Sequence, residues 1–345
     1  MTLSFSILDQ SPLGENEMAT EAIQHTVRLA KRAEELGYYR FWVSEHHDST
    51  AVAGSSPEVL MAYLLAQTST IRIGSGGVML QHYSPYKVAE NFNLLATLAP
   101  GRIDLGIGRA PGGYPKSTKA LQPAGQSAVT SLEDKLLELE CHLHQSLPES
   151  HPLHGVKASP IPETPASLFL LGTSVSSAEL AASFGIPYVF AHFINGNETV
   201  VNDALHTYRS KFQPIRMEKP QAIIALSVIV TDTDEEAKAL AANHHNVKIH
   251  LESGRTINVN SLQAAEEYGR QAEESYTLEV QKAQIIHGSK ETVRERLLEI
   301  QRLYKVDEII LIARMQSYPE RIRAYELIHE AFTELPVSFI SATGK

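Results

Sequence analysis

Cysteine is almost missing from this chain: Cys141 is the only one in 345 residues. An internal disulfide is therefore impossible, and a disulfide-stapled secreted scaffold is excluded. A surplus of basic residues is missing too. Thirty Lys and Arg against 40 Asp and Glu give a formal net charge of −10, which argues against a partner recognised through its phosphate backbone, so no nucleic acid is expected. No apolar run approaches the roughly 18 residues that suggest a membrane span, so no membrane association is expected. The segment Met1-Thr2-Leu3-Ser4-Phe5 has no basic stretch leading into an apolar one, so it does not read as a signal peptide, and the cytosol is the expected location. Short-period repeats and low-complexity tracts are also lacking.

What remains is 43% hydrophobic residues, enough for a substantial core in one large barrel or two ordinary domains. They follow one grammar of short strand, Gly or polar turn, amphipathic helix. Strands read at 4–8, 39–43, 71–75, 102–108, 168–171, 187–190, 222–230 and 308–312. Helices between them include 57–67, 131–144, 176–184, 202–212, 291–303 and 319–332. Gly37 is a helix C-cap candidate, and Pro85 suits a first turn. The stretch 147–165 reads as a long loop. About eight strands alternating with helices fit a (β/α)8 barrel, but a doubly wound sheet has the same grammar. Residues 244–286 break the pattern. They are polar, and such an excursion is either a plain surface helical hairpin or a functional, mobile segment.

The unusual residues gather at strand ends, where a barrel builds its active face. The second strand runs into Ser44-Glu45-His46-His47-Asp48, and imidazoles beside carboxylates suit acid–base work near neutral pH. The same groups in isolation can serve only to hydrogen-bond strand ends. The third strand leads to Gly74-Ser75-Gly76-Gly77-Val78, where bare backbone admits a flat ligand or an unusual backbone geometry. It is not the dinucleotide fingerprint, since no helix-opening G-x-G-x-x-G follows the first strand. The fourth strand ends in Gly106-Ile107-Gly108-Arg109, placing a guanidinium where it can take a phosphate bidentately, or else a surface carboxylate. The fifth ends in Gly172-Thr173-Ser174-Val175-Ser176-Ser177 at a helix start. Ser176 with Glu179 has capping-box spacing, and the N–H groups of a helix N-terminus suit a phosphate. The 15 histidines, including His142 with His144, His151 with His154, and His244-His245, make no H-E-x-x-H pattern, so no metal is expected. A G-x-S-x-G nucleophile elbow is absent as well.

Taken in order, Phe41-Trp42-Val43-Ser44-Glu45-His46-His47, Gly74-Ser75-Gly76-Gly77-Val78-Met79-Leu80 with Ser84-Pro85, Gly101-Arg102-Ile103-Asp104-Leu105-Gly106-Ile107-Gly108-Arg109, Gly172-Thr173-Ser174-Val175-Ser176-Ser177 and Gly288-Ser289-Lys290-Glu291-Thr292-Val293 resemble the bacterial luciferase-like flavin-dependent monooxygenases. The resemblance spans nearly the whole chain. It implies an α/β fold, a single TIM-type (β/α)8 barrel over 1–345, with 244–286 as a mobile lid between strands seven and eight. It implies reduced FMN as cosubstrate, supplied by a separate NAD(P)H:flavin reductase, with dioxygen and a small organic substrate, and a homodimer. By the same resemblance His46 is the catalytic histidine with His47 and Glu45 beside it. Gly76-Gly77 lies where the family often has a cis, non-proline peptide against the flavin ring. Gly108, Arg109, Thr173, Ser174 and Ser177 fall among the cofactor contacts. Thr173 is Glu and Gly108 is Cys in luciferase itself, so the likeness is to the non-luminescent branch. A deazaflavin-dependent oxidoreductase of the same superfamily and a non-catalytic flavin-binding protein are the rival readings.

Overall fold

The computed structural model describes residues 3–122 and 131–333; the outer ends of the expected 1–345 domain lie outside the described residues. Seven strands come first: β1 (Ser4–Asp9), β2 (Arg40–Val43), β3 (Arg72–Met79), β4 (Ile103–Gly108), β5 (Ser167–Gly172), β6 (Tyr188–Ala191) and β7 (Ala222–Val230). Four short strands follow, β8 (His245–Leu251), β9 (Thr256–Val259), β10 (Tyr276–Lys282) and β11 (Ile285–Gly288), and then β12 (Glu308–Ala313). Strands β1 to β7 and β12 pair in parallel. β12 lies between β7 and β1, and β6 pairs with β7, so the sheet closes on itself. This is a (β/α)8 barrel, not a doubly wound sheet.

Helices α1 (Ala19–Glu35), α2 (Pro57–Gln67), α3 (Pro85–Leu98), α4 (Pro115–Leu121), α5 (Leu132–His144), α6 (Val175–Phe184), α7 (Glu198–Lys211), α8 (Asp234–Ala241), α9 (Leu262–Gln271), α10 (Lys290–Tyr304) and α11 (Tyr318–Thr333) complete the chain. Local chemistry sets their ends. Pro57 and Pro85 open α2 and α3, and the Ser84 hydroxyl accepts the Lys87 amide. Gly37, just past α1, takes φ +75°, which a side chain would resist. Cys141 on α5 is half-buried, not fully enclosed.

Side chains alternate along each strand. One set, including Ile7, Phe41, Ile73, Leu105, Ile224 and Leu311, faces the helices. The other set, Leu8, Trp42, Phe169, Val189, Ile223, Ala225, Ile310 and Ile312, fills the barrel. Trp42 fits because its neighbours are glycines: a Cβ at Gly74 would run into the indole, and one at Gly76 would lie 2.7 Å from Leu8. Below Trp42, at the N-terminal ends of the strands, sits a buried ion cluster. Arg40 donates to both carboxylate oxygens of Glu308, at 2.7 and 3.0 Å, and to Asp104 at 2.7 Å. Arg72 and the Trp42 indole N–H also donate to Asp104, and Ser6 donates to Glu308. Two cations face two anions, and the floor of the barrel is sealed.

The 244–286 excursion is not a helical hairpin. β8 to β10 form an antiparallel sheet in the order β10-β8-β9, with α9 packed on it. Val247, Ile249 and Leu251 alternate with polar residues and bury one face against Ala265, Tyr268 and Ala272. That period of two was the available signal. The unit docks on α4, where Lys119 pairs with Glu273 at 2.6 Å and Gln271 accepts the Lys116 amide. It therefore stands at the C-terminal face of the barrel.

Removing one member of the floor leaves a buried charge without its partner. Arg40→Met strands Glu308 and is expected to lower unfolding stability by about 3–5 kcal/mol. Denaturant unfolding checks this; an unchanged midpoint would show that the cluster is not needed to close the barrel.

Candidate active site

The loop after β2 is pinned at three amides. Ser44 donates to the Asp9 carbonyl, His46 to that of Gly54 and His47 to that of Gly112. Glu45, 1% exposed, points into the protein. One of its oxygens accepts from His47 Nε2 and from the Tyr83 hydroxyl, both at 2.7 Å; the other accepts the Met79 amide at 3.0 Å. Glu45 thus ties the β2 loop to the end of β3. Burial, then the bond to Glu45, pushes the Tyr83 phenol well up, so it remains a donor.

His46 is different. Its Nδ1 lies 3.0 Å from the Ser44 hydroxyl. Burial lowers its pKa from 6.5 to about 4, against the pull of Glu45 and with help from His47. The ring is neutral at neutral pH, with Nε2 left for other work. His82 joins the group with its ring edge-on to His47 at 5.9 Å. Its Nε2 donates to the Pro111 carbonyl and its Nδ1 faces the Gln122 amide. Tyr83 and His82 were missed in the sequence; their signal was two polar aromatic residues directly after the glycine strand.

β3 runs on through Gly76 and Gly77 to Met79 instead of stopping at Ser75, and the Gly76–Gly77 peptide is cis. The register to β4 shifts there. A Cβ on Gly77 would lie 2.7 Å from the Gly106 carbonyl oxygen, and one on Gly108 would lie 3.1 Å from Met79 sulfur. Glycine is needed at 77 for backbone to pass backbone.

β4 and β5 are neighbours, so their loops share one side of the mouth. Arg109 is exposed there and makes no hydrogen bond or ion pair among the described residues. The capping box of α6 belongs to Ser174 and Ser177, two residues before the expected Ser176 and Glu179; Glu179 instead pairs with Lys211. The Ser174 hydroxyl lies 3.0 Å from that of Ser176. Ser177 donates to the Ser174 carbonyl at 2.8 Å and meets the Tyr188 hydroxyl at 2.9 Å. The Thr173 carbonyl accepts from Asn195. An exposed guanidinium beside a helix N-terminus with a hydroxyl cluster fits a phosphate dianion. No group of three or more potential metal ligands occurs among the described residues. A cleft of about 700 Å³ lies elsewhere, between β11 and α10, with His192, His287 and Tyr304 in its wall. It touches none of Glu45, His46, His47, Arg109 or the Ser174–Ser177 cluster.

A family model described as luciferase-like monooxygenase matches residues 1–305. The chain belongs to that family. An N-acetyl-S-alkylcysteine monooxygenase of Bacillus subtilis (strain 168) is 44% identical over 329 residues, covering 95% of this chain and 98% of the relative. A luciferase-like monooxygenase of Escherichia coli (strain K12) is 36% identical over 348 residues, covering 97% and 98%. The crystal structure of apo-MsnO8 aligns with a TM-score of 0.78 at 34% identity, covering 97% of this chain and 99% of that one. Luciferase-like monooxygenases are thus similar to this chain over nearly its full length.

The His46 ring gives a pH test. Its folded pKa lies below the unfolded value of 6.5, so the stability tied to the neutral ring is complete above 6.5 and is lost as pH falls toward 4. Ring signals of His46 in an NMR titration should stay flat from pH 8 to about 5.5, and His46→Gln should blunt acid unfolding as pH falls from 6.5 toward 4. A titration midpoint near 6.5 would place the ring in water.

Proposed function

We propose that this protein is an FMN-dependent monooxygenase that receives flavin reduced by a separate NAD(P)H:flavin reductase and uses dioxygen to oxygenate a small organic substrate. The observation that carries the reading is the neutral, half-buried His46 held beside Glu45, with Arg109, which has no partner among the described residues, and the α6 N-terminus two and three strands round the same mouth. Reduced FMN, when bound, supplies the electrons that activate dioxygen. Arg109, the α6 amides and Thr173, Ser174 and Ser177 would hold its phosphate. Gly76, Gly77 and Gly108 would meet its ring through backbone, their missing side chains making room for Leu8, the β4 backbone and Met79. His46 holds or delivers a proton at Nε2, a role its neutral ring suits near pH 7. Glu45 accepts from His47, Tyr83 and the Met79 amide, three of a carboxylate's roughly four acceptor sites, and in this reading it positions His47. The N-acetyl-S-alkylcysteine named for the Bacillus relative is the first class of compound to try. For the homodimer, α2 and α3 offer Val59, Tyr63, Leu94 and Leu98, all exposed.

Arg109→Ala is expected to weaken reduced FMN about 10- to 100-fold, about 1.5–3 kcal/mol for a charge-assisted contact, and riboflavin hardly at all. Anaerobic titration measures both. Equal affinities for wild type and variant would take Arg109 out of the phosphate site.

The β8–β10 unit is the proposed lid, shielding the reaction from water. His245 pairs with Lys282, so its two ends are adjacent and a short Gly-Ser linker can replace 246–281. The shortened protein should fold, bind flavin with modest change and release more hydrogen peroxide per product. Intact coupling of oxygen use to product would show that the unit is not a lid.

A further inference from the structure

The inward-facing positions of β12 are Glu308 at the floor, then Ile310 and Ile312 in the barrel core. Arg314 is the next position of that parity. Its amide donates to the Val228 carbonyl at 2.9 Å, which carries the strand pairing one residue past Ala313 and places Arg314 at the C-terminal mouth. Its guanidinium, partly buried, makes no hydrogen bond or ion pair among the described residues. Burial lowers its pKa, and no carboxylate pulls the other way. Arg40 at the opposite end of the barrel shows the contrast, with two carboxylates on it. A guanidinium drawn partly out of water without a counter-charge is costly, and an anion that arrived beside it would offset that cost.

Two further donors stand close. His244, at the start of the 244–286 excursion, has its pKa lowered by burial first and then by the positive charge of Arg314, so it lies within electrostatic reach of the guanidinium. Ser227 on β7 is in register with Ile312, one step below Arg314, and its hydroxyl makes no hydrogen bond among the described residues. This group is not part of the phosphate site. Around the ring of eight strands β12 is four places from β4, so Arg314 and Arg109 stem from opposite sides of the barrel.

We propose that Arg314, with His244 and Ser227, binds the oxyanion of the substrate, so that this enzyme acts on small organic carboxylic acids held by their charged end across the mouth from Arg109. The forked guanidinium matches a carboxylate through two parallel N–H bonds. The word substrate rests on the oxygenase reading; the anion site itself does not.

Equilibrium binding separates the two. Calorimetry of the whole protein, with and without reduced FMN under anaerobic conditions, would compare N-acetylmethionine, octanoate and phenylacetate with their primary amides, alongside inorganic phosphate. Wild type should prefer at least one acid over its amide by tenfold or more. R314Q should erase that preference, R314K should restore part of it, and neither should change FMN or riboflavin affinity. Relief of an uncompensated charge should leave R314Q as heat-stable as wild type or more so, which a merely structural arginine would not. The proposal is overturned if wild type binds acids and amides alike, if R314Q keeps the preference, if inorganic phosphate outcompetes every acid, or if R314Q weakens FMN but not riboflavin. Failure of wild type to bind FMN would sink the oxygenase reading and leave the acid–amide comparison standing.

Discussion

The ion cluster of Arg40, Asp104, Glu308 and Arg72 closes one end of the barrel, and the placing of everything else follows from it. Four strands contribute one charge each, so β2, β3, β4 and β12 are held in a single register at their starts. Above the cluster Trp42 and seven apolar side chains fill the interior. With the floor charged and sealed and the middle packed, the C-terminal mouth is the open end of the barrel. The polar groups there are paired less completely than those of the floor: Arg109 and Arg314 make no ion pair among the described residues, while Arg40 makes two.

The mouth is organised by one carboxylate. Glu45 accepts from the β2 loop, from Tyr83 and from the end of β3, so the geometry around His46 is set by groups that do not themselves face outward. The chain carries a net charge of −10, yet the mouth presents two arginines on opposite sides. That contrast is local chemistry and not bulk composition: net charge describes the whole chain, and the two arginines describe the mouth.

Much of this was legible in the sequence. The strands announced themselves because each is short, apolar and bounded by Gly, Pro or polar residues, and the strand-end residues of β2, β4 and β5 fell where the barrel puts them. Closure was not legible, since pairing of β12 with β1 is a fact about residues some 300 apart in sequence. The end of β3 was set too early because glycine reads as a strand breaker, whereas here it continues the strand where two backbones pass closely. The capping box was misplaced by two residues because the run of serines offers more than one register for the same motif. The small sheet was missed because charged residues on its open face hid the alternation of Val247, Ile249 and Leu251. Arg314 drew no notice, because an arginine after a strand is ordinary until its missing partner is seen in three dimensions.

Trp42 is the only tryptophan in the chain, fully buried, hydrogen-bonded to Asp104 and edge-on to Phe169 at 5.1 Å. The protein therefore carries a single indole, at the centre of the barrel, whose emission is read apart from the tyrosines by exciting at its red edge. Its emission belongs to a dry site one layer above the ion cluster and below the mouth. Changes in that emission read the state of the barrel core alone, with no second indole on the helices or the small sheet to blur them.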